Sequence, residues 1–279
     1  MRYATQEYTI NSQMPVNLRH RLSVGLVSRW KVIPAFRGGS RFIDLCKRNN
    51  GTLTNMVQSD WKGTNRPGGY GALDFVTNNY VSVPHDASLN ITGALTIAAW
   101  IYLRATVNYG AIVMRGDTGG TRYGYEYQFN ASTDKIALYM MGANASWTTD
   151  ADTAVTHNVW THLIGSYDGV NDLTFYHNGV LDGQHTVAGG AITGNSDPLS
   201  IGRRNSDGLY INALIDDVCI YNRHFSSNDA ALLHQLSQRQ HSSLLDWSPG
   251  LWVNSAAAAA GTILPQMLQH HHFAGRQFA

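Results

Sequence analysis

Carboxylates are the first side chains to consider as catalytic groups, because a retaining glycosidase needs two carboxyl groups about 5–5.5 Å apart. Glu126 is one of two glutamates in the chain, and no acidic residue lies two or four positions from it. Asp216 and Asp217 are adjacent, and adjacent residues of a strand point to opposite faces of a sheet. We therefore predict a strand-edge or salt-bridged Glu126, a structural hydrogen bond or structural cation at Asp217, and an Asp216 that faces solvent or the loop.

Other catalytic chemistries leave no motif in the sequence. It contains no G-x-S-x-G, H-E-x-x-H, phosphate-binding loop or C-x-x-C pattern. His157 and His162 are five positions apart, which places them on opposite faces of a strand and makes them poor co-ligands of a metal. Three consecutive histidines at residues 270–272 are interpreted as part of a solvated tail rather than a transition-metal site. The chain is therefore predicted not to be an enzyme.

Two polar loops carry side chains that are suited to ligand recognition. The loop at residues 115–122 contains Arg115, Asp117 and Arg122. The loop at residues 141–152 holds Trp147 between small polar residues, as a sugar-stacking platform does. The alternative for Trp147 is a buried or interface position, since tryptophan is common in both settings. These four residues are the predicted ligand-binding residues.

The elements that would position these residues are predicted to be short β-strands. Residues 95–103 form a near-continuous apolar run, typical of a strand buried on both faces. Asp168-Gly169 and Asn178-Gly179 predict turns between consecutive strands. Residues 226–238 form the one convincing helical pattern, with a serine cap and a leucine stripe. The sequence thus predicts an all-β protein with one short helix.

Composition limits the classes of partner. Of the 279 residues, 43% are hydrophobic and 14% are charged, and the formal net charge is +1. This balance gives no electrostatic reason to bind nucleic acid. No run of 18 apolar residues occurs, so no membrane span is predicted. The first residues lack the apolar stretch and cleavage site of a secretory signal.

Four segments resemble laminin-G-like jelly rolls of the concanavalin A type. They are FIDLCKRNNGTLTN at residues 42–55, ALDFVTNNYVSVP at 72–84, WTHLIGSYDG with LTFYHNGVLDG at 160–183, and ALIDDVCIYNR at 213–223. The resemblance implies a two-sheet antiparallel β-sandwich over residues 23–238. Residues 1–22 are then an N-terminal arm and residues 239–279 a C-terminal tail.

The resemblance also implies a structural calcium ion at an edge of the sandwich. Asp217 is the first predicted ligand and Asp74 the second, because hard cations take carboxylate oxygens. The alternative for Asp217, a turn-stabilising carboxylate, is left open. Val76 and Thr77 stand where the family has Asp-Gly, which removes one expected ligand.

Because the fold hosts many functions, the function is predicted from further features: no apparent secretory signal, free cysteines, low charge and two terminal segments outside the domain. The laminin-G-like segments also resemble modules that phage and environmental bacterial genomes carry, and this resemblance implies a virion component. We predict a non-enzymatic structural or binding protein, a component of a phage virion surface such as a capsid decoration or fibre protein. It would be made in the host cytoplasm and would bind capsid proteins or its own copies through residues 1–22 and 239–279. The alternative is a carbohydrate-binding adhesin or lectin module at a bacterial cell surface, with cell-surface glycans as partners.

Overall fold

Two antiparallel sheets of eight strands each form a β-sandwich in the computed structural model. It describes residues 20–239 except 34–37, 64, 77, 106, 108, 118–122, 131, 143–145 and 206–207. The elements are β1 Leu26–Trp30, β2 Arg41–Phe42, β3 Gly51–Thr54, β4 Trp61–Lys62, β5 Ala72–Phe75, β6 Tyr80–Val83, β7 Leu95–Ala105, β8 Ala111–Asp117, β9 Tyr123–Asn130, β10 Lys135–Met141, β11 Ser146–Asp150, β12 Trp160–Tyr167, β13 Asp172–His177, β14 Val180–Thr186, β15 Leu199–Ile201, β16 Asn212–Tyr221 and the helix α1 Ser227–Ser237. Short 3₁₀ turns lie at Arg21–Ser23, Gln58–Asp60 and Ala87–Leu89.

The strand order follows a jelly-roll arrangement rather than the order of the chain. The first sheet runs β14-β13-β12-β7-β16-β5-β4, and β1 also pairs with β16. The second sheet runs β11-β10-β9-β8-β15-β6-β3-β2. The predicted all-β sandwich is confirmed, and the described residues contain one α-helix, as the periodicity indicated.

The core lies between the two sheets and is filled by alternate side chains of their strands. In β7 the inward residues Leu95, Ile97, Ala99, Ile101 and Leu103 are all fully buried. The other face of β7 is also buried, because α1 covers part of the outer side of the first sheet. The apolar run that predicted a strand buried on both faces therefore has this structural cause.

The helix α1 begins with a capping box and packs on the first sheet. The Ser226 hydroxyl accepts from the Asp229 N–H, and the Asp229 carboxylate accepts from the Ser226 N–H. Leu233 and Leu236 are buried in a second apolar cluster on the outer side of this sheet. Leu22 is fully buried in the same cluster, so the final residues of the predicted arm belong to the sandwich.

Candidate functional site

A row of side chains, all polar except Met114, crosses the outer face of the second sheet. The cross-strand register aligns Thr148, Tyr139, Glu126, Met114, Ser200, Ser82, Thr52 and Arg41 from β11 to β2. Their neighbours along each strand point inward to the core, as the two-residue period of a strand requires. The outer face of this sheet is thus the surface on which the strands present polar groups.

The loop between β15 and β16 folds back over the centre of this face. Arg204 Nε lies 3.2 Å from Glu126 Oε1, and the Glu126 side chain is fully buried. The Ser200 hydroxyl donates to Asn205 Oδ1 at 2.5 Å, and the Asn205 N–H points to Met114 Sδ at 3.0 Å. The loop therefore holds two consecutive arginines, Arg203 and Arg204, above the sheet.

The rings of three tyrosines lie against these two arginines. The Arg203 guanidinium lies 4.6 Å from the Tyr80 ring centroid and 5.8 Å from that of Tyr210. Arg204 lies 5.0 Å from the ring of Tyr109, which is 38% exposed. We name the surface formed by Tyr80, Tyr109, Tyr139, Arg203, Arg204 and Tyr210 the tyrosine–arginine face.

The backbone and the electrostatics of this face fit a binding surface. Tyr109 adopts φ 57°, a conformation that is uncommon for a bulky residue and that tends to cluster at functional sites. Burial raises the pKa of Tyr139, and the nearby Tyr109 and Glu126 act in the same direction. The Tyr139 hydroxyl therefore stays protonated at neutral pH. Together, the face offers flat apolar rings, phenol hydroxyls and guanidinium donors.

A match to a protein-family model adds to this geometry. The model described as the concanavalin A-like lectin/glucanases superfamily matches residues 75–231. The chain belongs to this superfamily. Its two eight-stranded sheets and single described helix agree with that membership.

Solved structures with the same fold come from members of different function. The binding domain of Paraclostridial mosquitocidal protein 1 is 17% identical, with a TM-score of 0.56, and the match covers 75% of this chain and 52% of that one. Domain 4 of the extracellular arabinanase AbnA from Geobacillus stearothermophilus, in complex with arabinotriose, is 16% identical, with a TM-score of 0.57, covering 75% of this chain and 98% of that one. A Trypanosoma rangeli sialidase is 15% identical, with a TM-score of 0.52, covering 75% and 32%. This chain thus spans about half of the toxin binding domain, and at these identities the likeness shows the fold alone.

Trp147, a predicted stacking residue, is packed into the sandwich. Its side chain is 6% exposed, belongs to the main core cluster and lies 6.2 Å from the Tyr167 ring. A side chain on Gly142 would collide with its ring at 2.5 Å. The expectation of an exposed platform is therefore corrected to the buried alternative. Trp147 also lines an open groove, together with His185.

The three predicted ligand-binding residues of the loop at residues 115–122 do not form a ligand site in the structure as described. Arg115 is fully buried, and its guanidinium donates to the backbone oxygens of Asn195 and Asp197 at 2.7 and 2.6 Å. Asp117 ends β8, where its backbone pairs with Tyr123. Arg122 lies outside the described residues. The prediction that Arg115 contacts a ligand directly is corrected, because its side chain is fully buried and its two Nη groups donate inside the protein.

The acidic pair of β16 shares one face of the sheet, contrary to the expectation. A β-bulge shifts the register between Asp216 and Cys219, and Asp217 adopts φ 52°. The bulge inserts an extra residue, so both carboxylates lie on the outer side. Asp216 is fully buried and accepts from Arg66 Nε and Nη2 at 2.9 and 2.6 Å, so it does not face solvent.

Cations of the protein itself neutralise both predicted calcium ligands. Arg29 donates to the two oxygens of Asp217 at 2.6 and 2.8 Å, and Lys31 lies 3.9 Å away. These charges hold the pKa of Asp217 well below its ordinary value against the opposing effect of burial. Asp74 contacts Arg104 at 2.5 Å and Lys62 at 3.4 Å. The geometry favours the alternative of a hydrogen-bonding carboxylate, and calcium binding stays a prediction.

Metal-ligating side chains are otherwise scattered. Across the described ranges, no three side chains of the His, Cys, Asp and Glu types converge as a metal site. The structure likewise shows, in the part of the chain that it describes, no helix with the length and apolarity needed to cross a bilayer.

A buried aromatic stack lies beneath α1 on the opposite, first sheet. The rings of Trp100 and His162 are 5.1 Å apart, and His234 of α1 lies 5.4 Å from each. The Trp100 indole donates to the Ser237 hydroxyl at 2.9 Å, and Arg66 covers the ring at 5.0 Å. Burial first, and then the nearby His234, lower the pKa of His162 to about 3. His162 is thus a neutral structural residue.

Proposed function

We propose that this chain is a non-catalytic carbohydrate-binding module and that the tyrosine–arginine face is its binding surface. The observation that carries the proposal is the grouping of Tyr80, Tyr109 and Tyr210 around Arg203 and Arg204 on the outer face of the second sheet. A pyranose ring has an apolar C–H face and a hydroxyl rim. Aromatic rings match the first, and guanidinium and phenol groups match the second.

The buried state of Glu126 supports a binding role rather than hydrolysis. An acid–base residue must reach the proton that it transfers. Glu126 is fully buried, and its carboxylate is in a salt bridge with Arg204. Two of the structural relatives reported above are, by name, a binding domain and an arabinanase domain in complex with arabinotriose, which favours binding by this fold.

Glycan-array binding followed by calorimetry tests the proposal. We expect Tyr80→Ala and Tyr109→Ala each to weaken glycan binding about tenfold or more, since a central aromatic anchor contributes more than about 1 kcal/mol. Tyr102→Ala is the matched control, because Tyr102 is also half-buried and stacks on Trp160, but it lies on the first sheet. Unchanged affinity in the first two variants, or an equal loss in the control, would contradict the proposed surface.

We also propose that the module is carried at a surface, either on a virion as the sequence first suggested or on a cell. The support is the apolar content of the C-terminal segment, with Trp247, Leu251, Trp252, Ile263 and Phe273. Large apolar side chains gain about 1.5–3 kcal/mol each when they are buried. Attachment to neighbouring subunits would provide that burial, and imaging of the native assembly tests it.

A further inference from the structure

A pocket of about 260 Å³ opens where β2, β3 and β6 meet the loops at one edge of the second sheet. It is lined by Arg41, Arg48, Asn49, Asn50, Thr52, Pro84, His85 and Asp86. Thr52 and Arg41 are the last two members of the polar row that crosses the outer face. The pocket therefore lies on the same outer face of the second sheet as the tyrosine–arginine face. It is at the β2 end of the row, apart from that face.

Two arginines of this pocket keep their guanidinium groups available to a ligand. Arg41 and Arg48 are both exposed. Within residues 20–239 as the structure describes them, neither forms a salt bridge, whereas Arg29, Arg66 and Arg104 each contact an aspartate. Guanidinium groups in such a position bind carboxylate, sulfate or phosphate oxygens with paired donors.

Arg115 fixes how His85 presents its ring. Arg115 Nη2 lies 3.0 Å from His85 Nδ1. Because a guanidinium only donates, Nδ1 must accept, and the neutral ring then carries its proton on Nε2. Arg115 is itself held by two backbone oxygens. It therefore acts as a positioning residue, and His85 offers an N–H donor at the pocket.

Two asparagines line the pocket, and one of them offers a donor. Asn49 is 2% exposed, and its amide nitrogen donates to Ser28 and Ser88 at 2.7 and 3.1 Å. Its Oδ1 is buried without a hydrogen-bond partner among the described residues. Because this oxygen is closed to solvent, it is not among the groups that the pocket offers to a ligand. Asn50 Oδ1 accepts from the Asp44 N–H, which leaves its amide nitrogen as a donor.

One carboxylate stands among these donors. Asp86 accepts from the Ser88 N–H at 2.8 Å. The Ser88 hydroxyl first, and then this N–H, lower the pKa of Asp86, and nearby His85 and Arg48 act in the same direction. It remains ionised at neutral pH and offsets one of the two arginine charges. The pocket as a whole retains a positive charge and an array of N–H donors.

We propose that this pocket binds the anionic group of an acidic saccharide, with Arg41 and Arg48 on the carboxylate or sulfate. This inference rests on the proposed carbohydrate-binding function and names its ligand class. Adjacent strands are about 4.8 Å apart, so the row from β15 to β2 spans about 14 Å. An oligosaccharide of several units would therefore reach from the tyrosine–arginine face to the pocket.

The experiment uses the full chain and an array of matched glycan pairs: oligogalacturonate with its methyl ester, sialylated with asialo glycans, and sulfated with unsulfated ones. We expect the charged member of at least one pair to bind about tenfold or more tightly. Arg41→Gln and Arg48→Gln should each remove most of that preference. Lys47→Gln is the matched control, because Lys47 is exposed, precedes Arg48 and does not line the pocket.

Each outcome decides between the two proposals. If glycans bind but neutral and charged partners bind equally, or if the arginine variants keep the preference, the acidic-saccharide pocket is wrong and the proposed function stands. If no glycan binds at all, both are wrong. Loss of preference in Lys47→Gln as well would indicate a diffuse charge effect instead of a site. Unchanged melting temperatures of the variants would exclude misfolding, and the pair that responds identifies carboxylate or sulfate.

Discussion

The His162 stack makes stability depend on pH in a way that can be calculated. The ordinary pKa of histidine is 6.5, and burial under α1 lowers that of His162 to about 3. The unfolded chain therefore binds a proton as pH falls below 6.5, while the folded protein does not until pH approaches 3. Protonation thus favours unfolding, and the stabilisation present above pH 6.5 is progressively lost between 6.5 and 3.

The expected size follows from the same two pKa values. At pH 5 the unfolded state is 1.5 pH units below its own pKa of 6.5, and the folded state is still neutral. At about 1.4 kcal/mol per unit, the free energy of unfolding falls by about 2 kcal/mol between pH 7 and pH 5 from this residue. In a domain of this size, that corresponds to about 4–8 °C in melting temperature.

Denaturant unfolding at pH 7 and pH 5 measures the effect as a difference between proteins. His162→Gln removes the titrating group. Between pH 7 and pH 5, the free energy of unfolding of this variant should therefore fall by about 2 kcal/mol less than that of the natural protein. The groups that face His162 (His234 of α1, Asp217, Arg66 and Arg29) remain in both proteins and cancel. His157→Gln, a half-exposed histidine, controls for the removal of any imidazole. Equal pH dependence in the natural protein and in His162→Gln would refute the reasoning.

Three further predictions concern the buried ion pairs, calcium and the tail. Arg66→Leu should lower the free energy of unfolding by about 3–5 kcal/mol, because it leaves Asp216 buried without its partner. Arg21→Gln, in an exposed pair, should lower it by about 1 kcal/mol or less, and chemical denaturation of both variants measures the difference. If Asp217 binds calcium, a chelator should lower the melting temperature, and Asp217→Asn should abolish that decrease. No effect of the chelator would leave Asp217 as the hydrogen-bonding carboxylate that its pairing with Arg29 favours. Deleting residues 239–279 should leave the melting temperature nearly unchanged but abolish oligomer or particle attachment, as measured by light scattering and co-sedimentation. A much lower melting temperature with the same oligomer would place the segment in the core.

The sequence specified the sandwich because its signals are local. Strand β7 is a near-continuous apolar run, and the turns at Asn178 and Gly179, with φ 53° and 79°, are set by residues that tolerate positive φ. The capping box at Ser226 and Asp229 likewise marks the start of α1 in the sequence itself. Each of these elements was therefore predictable without any contact distant in the chain.

The candidate site was less predictable, because it depends on distant contacts. The loop that carries Arg203 and Arg204 covers the sheet through Glu126 and Asn205, and no local pattern announces this fold-back. The bulge at Asp216 breaks the alternation on which the face assignment depended. One signal was present: Tyr80 alternates with Ser82 along β6, which marks both as outward residues. Aromatic residues at such outward positions are the feature to seek.

The pairing of β1 with the part of β16 beyond its bulge limits the order in which the chain can fold. Before the bulge, β16 pairs with β5; after it, the same edge pairs with β1. Strand β1 thus meets a partner that lies roughly 190 residues later in the sequence, a contact of very high sequence separation. During synthesis at about 5–20 residues per second, β1 must remain unpaired at this edge for about 10–40 s. The first sheet is therefore completed only after nearly the whole domain has left the ribosome. Until then, the nascent chain exposes unpaired strand edges.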